Sequence, residues 1–136
     1  MSGPVEGVDK AEKLAGELGI RRVIRLNVAG AFHSTLMRPA AAKLEVELGR
    51  IDFKPTAFPV VSNVSAKPHG NPDEIRRLMV EQVYSSVRWY EGIEWMKAQG
   101  VTEYLECGPG KVLTGLVKRI DKGASLHSIQ DPSGLG

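Results

Sequence analysis

The order of helical and strand patterns along this chain constrains its fold more than any other feature. Apolar residues recur at helical spacing in several stretches, and short β-rich runs lie between them. The predicted helices span about 9–17, 35–48, 73–84 and 111–121, with a further helix, capped at Ser85 or Ser86, that carries Trp89, Ile93, Trp95 and Met96. The predicted strands span 23–28, 58–63, 101–107 and 126–129. Because this alternation is typical of βαβ units, we expect an α/β protein with an at least partly parallel sheet. A leading helix and few strands indicate the later part of a larger α/β domain.

Composition narrows the class of protein. The 136 residues are 42% hydrophobic and 25% charged, which is typical of globular proteins and excludes a disordered tail or a disulfide scaffold. A net charge of +2 argues against a nucleic-acid partner, and the single cysteine favours a reducing compartment. No run approaches the ~18 apolar residues of a membrane-spanning helix, and the first residues do not resemble a secretory signal. We therefore expect a soluble, cytoplasmic protein with no membrane partner.

His33 is the first candidate for chemistry. It follows a predicted strand and precedes a predicted helix, in a loop of small residues. Functional groups gather at the carboxyl ends of strands in α/β sheets, and a neutral imidazole there can take a proton from a nucleophile and return it. The alternative is a histidine that caps or packs at the start of the helix. His69 and His127 are predicted to be solvated bystanders, and the three histidines show no metal-ligand spacing, so no metal is expected.

Three further features have a structural and a functional interpretation. Cys107, at the end of a predicted strand, fits a small buried apolar filler better than a nucleophile. Residues 108–111, Gly-Pro-Gly-Lys, satisfy neither the phosphate-loop nor the dinucleotide pattern, which favours a structural turn. The basic residues of the last helix form either a solvated face or a docking patch for an acidic partner. The sequence contains no G-x-S-x-G nucleophile elbow, so a catalytic histidine would lack its partner.

Four motifs in register resemble the malonyl-CoA:acyl carrier protein transacylase family. They are Gly-Ala-Phe-His-Ser-Thr-Leu-Met at 30–37, Pro-Val-Val-Ser-Asn at 59–63, Val-Arg-Trp at 87–89 after Gln82, and Glu-Cys-Gly-Pro-Gly-Lys-Val-Leu-Thr-Gly-Leu at 106–116. The likeness runs from about residue 2 to 120. It implies the C-terminal portion of a hydrolase-like acyltransferase domain, at 29–136, preceded by the last helix and strand of a ferredoxin-like small subdomain, at 1–28. The serine-elbow half of the family is missing from the sequence.

The resemblance also implies roles for individual residues. His33 matches the general base that activates first the serine and then the incoming thiol, and Gln82 matches the residue that orients it by a hydrogen bond. Phe32 matches a position in the acyl-binding cleft where family members with a phenylalanine prefer malonyl over methylmalonyl. Asn63 would line the same cleft. Lys118 and Arg119 match basic positions that meet the acidic acyl carrier protein.

The implied function is malonyl transfer from malonyl-CoA to the phosphopantetheine thiol of acyl carrier protein, in fatty-acid biosynthesis. This chain would supply the histidine base and would bind no cofactor of its own. The phosphopantetheine would be carried by the acyl carrier protein. Because the serine is missing, we expect the isolated chain to be inactive. Two alternatives stay open at this point: a module that binds acyl carrier protein or CoA without catalysis, and assembly with a separate polypeptide that supplies the serine half.

Overall fold

The computed structural model describes residues 1–131, which form two compact units that divide after Val87. The first unit contains three α-helices and a short 3₁₀ turn at Thr35–Met37. Its helices are α1 (Val5–Glu17), α2 (Arg38–Leu48) and α3 (Pro72–Glu81). The second unit contains α4 (Trp89–Ala98), β1 (Glu103–Cys107), α5 (Val112–Ile120) and β2 (Ser125–Ile129). The predicted domain boundary at residues 28 and 29 concerns a larger protein and stays a prediction; residues 132–136 of the predicted second domain lie outside the described part.

The core of the first unit lies between α2 and α3. Ala41 and Leu48 of α2 and Ile75 and Leu78 of α3 are all buried, as helical spacing places them on facing sides. The start of α3 is fixed by Asn71, whose side chain accepts from the main-chain N–H of Glu74 at 2.9 Å. In return, the Glu74 carboxylate accepts from the main-chain N–H of Gly70 at 2.8 Å, which completes a reciprocal cap.

Two predicted strands are not strands in this unit. Residues 23–28 pair with no other strand of the described chain, and Val23, Ile24, Leu26 and Val28 are exposed. They are tied to α1 instead by Arg25, whose guanidinium donates to Asp9 and Glu12 at 2.6 Å each. The segment 58–63 makes one antiparallel bridge, between Val61 and Pro68. A β-rich run becomes a strand only where another strand satisfies its main-chain groups.

The second unit confirms the predicted parallel sheet. Strands β1 and β2 pair in parallel, with Glu103 opposite Ser125 and Cys107 opposite Ile129, and α5 connects them. Helix α5 packs against both strands and against α4. Ile93 of α4 and Val117 of α5 are 1% and 4% exposed and form the centre of this unit. It is a βαβ crossover preceded by one helix.

Glu106 ties the end of β1 to the start of α5. Its carboxylate accepts from the main-chain N–H groups of Leu113 and Thr114, at 3.1 and 2.8 Å, and from the Thr114 hydroxyl at 2.6 Å. The hydroxyl first, and then the N–H groups, hold the pKa of Glu106 below its ordinary value of 4.5. The N-cap residue of α5, Lys111, makes no capping hydrogen bond with its side chain. The Glu106 carboxylate caps the helix instead, by accepting from its first main-chain N–H groups.

This contact predicts a pH dependence of stability. Because the folded-state pKa of Glu106 is lowered, its stabilising contribution is complete above the unfolded-state pKa near 4.5 and is lost as the pH falls through the folded-state value. In urea titrations across pH, Glu106→Gln is expected to lower the unfolding free energy at neutral pH and to flatten its decline in acid. Glu45→Gln, at an exposed position of α2, is the matched control. An acid decline as steep in Glu106→Gln as in the parent chain would contradict the assignment.

Candidate active site

The loop that carries His33 is held against the end of α3. The main-chain N–H of His33 donates to the carbonyl oxygen of Val83 at 3.2 Å. Beside it, the Ser34 hydroxyl donates to the carbonyl oxygen of Ala31 at 2.6 Å, and the N–H of Met37 donates to that of Ser34 at 3.0 Å. These contacts fix the short turn between the loop and α2, so the position of His33 is set by main-chain bonds on both sides.

The backbone of His33 is in the left-handed region. Its φ is +59°, which few residues other than glycine adopt, although histidine, asparagine and aspartate do so more often than most. Such a conformation persists only where the surrounding contacts enforce it, and it is common at functional sites. Here it lets an exposed imidazole turn back towards the chain that follows α3.

The imidazole of His33 has one ring nitrogen engaged and one available. Its Nδ1 lies 2.8 Å from the main-chain carbonyl oxygen of Gln82. A carbonyl oxygen only accepts hydrogen bonds, so Nδ1 must carry the proton and donate. That tautomer leaves the lone pair of Nε2 free to accept a proton, which is the state that a general base requires. The Gln82 carbonyl oxygen accepts from Nδ1–H here, which is the same contact that a carboxylate makes to a histidine in a Ser-His-Asp triad.

Gln82 contacts its neighbours with two different groups. Its main-chain carbonyl holds His33, whereas its side-chain Oε1 accepts from Nδ2 of Asn63 at 3.2 Å. The structure therefore brings together three of the predicted site residues, His33, Gln82 and Asn63. The sequence indicated a contact between His33 and Gln82 but not which atom of Gln82 makes it. Every residue type has a main-chain carbonyl, so the identity of residue 82 does not reveal a contact made by that group.

Phe32 and an arginine–tyrosine pair, Arg38 and Tyr84, are close along the chain to His33 and Gln82. Phe32 directly precedes His33 in the loop and is 48% exposed. The guanidinium of Arg38, at the start of α2, stacks over the ring of Tyr84 at 4.4 Å, and both residues line a cleft of about 390 Å³ between α2 and α3. No motif in the sequence singles out this pair. Their short distances along the chain from His33 and Gln82 were the available signal.

The remaining candidates are not part of this arrangement. Lys118 and Arg119 occupy the last turn of α5 in the second unit, where both are exposed and complement the negative end of the helix. Cys107 is exposed, so the prediction of a buried filler is wrong: alternation along β1 places it on the side of the sheet opposite to Glu106, whose side chain reaches α5. His127 is exposed and pairs with Glu103 at 2.8 Å.

His69 differs from its prediction as a solvated bystander. It is half-buried, and its Nδ1 has no hydrogen-bond partner within residues 1–131. The same part of the chain contains no group of three His, Cys, Asp or Glu side chains placed to hold a metal ion. None of its helices combines the length and the apolar character that crossing a membrane requires.

Comparison with known proteins identifies a consistent set of relatives. No protein-family model matches the chain. It is 46% identical over 132 residues to the malonyl CoA-acyl carrier protein transacylase of Bacillus subtilis, and this match covers 97% of the chain and 42% of that protein. The chain thus spans less than half the length of the curated relatives it matches. The resemblance inferred from the motifs is confirmed in this form.

Solved structures support the same grouping. A malonyl-transacylase in complex with its type II PKS acyl-carrier protein superposes with a TM-score of 0.91 at 42% identity, over 98% of this chain and 43% of the other. The transacylase of Streptococcus pneumoniae gives a TM-score of 0.91 at 40% identity, over 98% and 43%. The aligned region is the C-terminal part of such structures, and the predicted α/β class is confirmed.

Proposed function

We propose that this chain, which is similar in sequence and fold to the C-terminal part of malonyl-CoA:acyl carrier protein transacylases, supplies the general base for malonyl transfer. The reaction moves malonyl from malonyl-CoA to the phosphopantetheine thiol of an acyl carrier protein, in fatty-acid biosynthesis in the cytoplasm. The single observation that carries the proposal is the 2.8 Å contact from His33 Nδ1 to the Gln82 carbonyl, because it leaves Nε2 as a free proton acceptor. The nucleophilic serine lies outside this sequence.

The proposed mechanism has two proton cycles through Nε2 of His33. In the first, Nε2 takes the proton of the serine hydroxyl as its oxygen attacks the thioester carbonyl, and the imidazolium returns that proton to the departing CoA sulfur. The serine then holds malonyl as an ester. In the second, Nε2 takes the proton of the carrier thiol, the sulfur attacks the ester, and the serine oxygen recovers the proton. No external oxidant, reductant or cofactor is consumed.

Gln82 acts in this scheme as a positioning residue. Its carbonyl keeps the Nδ1 proton in place in both cycles and stabilises the imidazolium when Nε2 is also protonated. The Asn63 amide donates to Gln82 Oε1, which restrains the side chain of Gln82 but not the carbonyl that holds His33. Asn63 is proposed to line the acyl cleft beside these residues.

A chimera tests this function directly. The matched region of the Bacillus subtilis relative is replaced by this chain, which restores a full-length transacylase with the histidine loop described above. Malonyl transfer to acyl carrier protein by the chimera, measured by the appearance of malonyl-carrier, is the expected result. A folded chimera with no transfer, tested beside the unaltered relative, would contradict the proposed function.

Phe32 is proposed to exclude an α-methyl group from the acyl site. In the chimera, Phe32→Ala is expected to raise the ratio of kcat/KM for methylmalonyl-CoA over malonyl-CoA by about 10- to 200-fold, since one methyl is worth ~1–3 kcal/mol of discrimination. Phe58→Ala, a truncation of the same ring at a position 71% exposed, is the matched control and should leave the ratio unchanged. If this ratio is the same in Phe32→Ala and Phe58→Ala, Phe32 does not border the acyl site.

The second candidate function is carrier binding without catalysis. It is favoured by the exposed cations Lys118 and Arg119 at the end of α5, which suit an acidic carrier surface. In this case the isolated chain binds acyl carrier protein, Lys118→Glu weakens the binding more at low salt than at high salt, and no turnover accompanies it. If Lys118→Glu leaves the affinity for acyl carrier protein unchanged, both carrier docking at α5 and this second function are contradicted.

A further inference from the structure

The loop that begins at His33 is attached at both of its ends to the residues that follow α3. At its first residue, the main-chain N–H of His33 donates to the Val83 carbonyl at 3.2 Å, and Nδ1 donates to the Gln82 carbonyl at 2.8 Å. At its last residue, the guanidinium of Arg38 lies 4.4 Å from the centre of the Tyr84 ring. Three consecutive residues after α3 therefore hold the loop at two separate points.

The chain between these two points is short and ordered. The Ser34 hydroxyl donates to the Ala31 carbonyl at 2.6 Å, the N–H of Met37 donates to the Ser34 carbonyl at 3.0 Å, and the 3₁₀ turn at Thr35–Met37 leads directly into α2. These bonds join neighbours in sequence, so they shape the loop without attaching it to α3. Because a hydrogen-bonded turn has few free dihedral angles, a displacement at the start of α2 is passed on to the first residue of the loop.

The backbone of His33 depends on these attachments. Its φ of +59° lies in the left-handed region, which is unfavourable for residues other than glycine and persists only where the surrounding contacts enforce it. A return of φ to the ordinary right-handed region would swing the side chain about the main chain. The imidazole would then no longer meet the Gln82 carbonyl, and the hydrogen bond that holds the Nδ1 proton would be lost.

Arg38 and Tyr84 are suited to form the second attachment. A guanidinium above an aromatic ring is attracted by the negative face of the ring, and its planar shape allows it to stack there. The N–H of Tyr84 donates to the Glu81 carbonyl at 3.2 Å, which fixes this residue to the end of α3. Arg77 lines the same cleft but forms ion pairs with Glu74 and Glu81 of its own helix. Arg38 thus joins two segments of the chain, whereas Arg77 joins residues of one helix.

We propose that the stack of Arg38 on Tyr84 is a clamp that keeps His33 in its left-handed conformation and so holds the Nδ1 proton on the Gln82 carbonyl. Arg38 and Tyr84 are positioning residues, which act through His33 and touch no reacting atom. Without the clamp, the loop leaves the strained conformation and the ring exchanges between its two neutral tautomers. The consequence for malonyl transfer rests on the proposed function, whereas the consequence for the imidazole concerns this chain alone.

The tautomer of His33 gives the proposal a readout that is independent of activity. In ¹⁵N NMR spectra of the isolated chain in mildly alkaline buffer, where histidine side chains are neutral, the shifts of the two ring nitrogens show which one carries the proton. The chain has three histidines, and the signal that is absent from His33→Asn identifies His33. We expect the parent chain to show His33 protonated at Nδ1. Protonation at Nε2 in the parent chain would overturn the proposal.

Removing the cation tests the clamp. Arg38→Gln keeps part of the side-chain stem at an exposed position and removes the charge. It is expected to lower the ratio of the Nδ1-protonated to the Nε2-protonated form of His33 by about 2- to 30-fold, the range that corresponds to one cation–π contact. An unchanged ratio would show that the stack does not position the imidazole.

Three further variants separate the clamp from other effects. Tyr84→Leu removes the ring and should shift the tautomer ratio in the same direction as Arg38→Gln, whereas Tyr84→Phe keeps the ring and should preserve the parent ratio. Arg77→Gln makes the same substitution at an arginine of the same cleft and is the matched control. An equal shift in Arg77→Gln would assign the effect to the charge of the cleft and overturn the clamp. Circular dichroism checks that each variant is folded, and Arg38→Gln decides the test if Tyr84→Leu is not.

Transfer by the chimera distinguishes a failure of the clamp from a failure of the proposed function. Arg38→Gln is expected to lower kcat/KM for malonyl-CoA by a factor similar to its effect on the tautomer ratio, and Tyr84→Phe should retain the parent value. A shifted tautomer ratio with unchanged transfer would contradict the role of His33 as the base and leave the clamp standing. A loss of transfer with an unchanged tautomer ratio would overturn the clamp and leave the proposed function standing.

Discussion

Replacing His33 with asparagine is expected to lower malonyl transfer by the chimera by about 10²- to 10⁴-fold, the range that general acid–base catalysis contributes. Asparagine is the informative substitute because it tolerates the left-handed backbone at φ +59° and its amide can still donate to the Gln82 carbonyl. The substitution keeps the loop but removes the proton acceptor at Nε2. The loss should appear in kcat/KM for malonyl-CoA, measured at constant carrier concentration.

The control for this prediction is Gln82→Ala. Because the contact to His33 comes from the main chain, removing the side chain leaves the 2.8 Å hydrogen bond in place and takes away only the contact with Asn63. Gln82→Ala is therefore expected to cost at least about tenfold less than His33→Asn. If the two variants lose transfer equally, the side chain of Gln82 and not its carbonyl orients the imidazole. If His33→Asn is fully active, His33 is not the base.

Truncating Ile93 to alanine is expected to lower the unfolding free energy of the chain by about 2–5 kcal/mol. Ile93 lies in α4 and is 1% exposed. Truncation of its side chain therefore leaves a cavity and also removes buried methyl groups. The chain's two tryptophans, Trp89 and Trp95, both lie in α4, so urea titration followed by fluorescence reports on this unit.

The same substitution at Ile24 is the control. Ile24 is 61% exposed, and Ile24→Ala should change the unfolding free energy by no more than about 0.5 kcal/mol. Comparable losses at both positions would mean that burial of Ile93 is not what holds the second unit together. The comparison also tests whether the segment 23–28 is as weakly packed in solution as its exposure indicates.

Helical periodicity predicted most of the secondary structure because it is a local property. The helix predicted at 73–84 is α3 at Pro72–Glu81, and the one predicted at 111–121 is α5 at Val112–Ile120. The strand at 101–107 and the short one at 126–129 were also found, since both pair within the same βαβ unit. The strand predicted at 23–28 was not, because strand formation depends on a partner that this part of the chain does not supply.

Burial was predicted less well than helices and strands. Cys107 was expected to be buried and is exposed. Whether a strand residue is covered depends on the layers that pack against its side of the sheet, and this non-local property is not specified by the sequence of the strand itself.

For the candidate site, the sequence indicated three residues that lie together but not the atoms through which they make contact. The motifs singled out His33, Gln82 and Asn63, which the structure brings together. The left-handed backbone of His33 and its contact with a main-chain carbonyl could not be predicted, because neither feature requires a particular side chain at these positions. The contact of Arg38 with Tyr84 was not predicted, although both residues are close along the chain to His33 and Gln82.

The central claim is that this chain holds the base of the transfer and not its nucleophile. Intact-protein mass spectrometry of the purified chain with malonyl-CoA, and then with acyl carrier protein added, tests it most directly. The account predicts no malonyl adduct on the chain and no malonyl-carrier. A stable malonyl adduct would contradict it, because the chain would then carry its own nucleophile, with the half-buried Ser34 and the exposed Cys107 as the first positions to map.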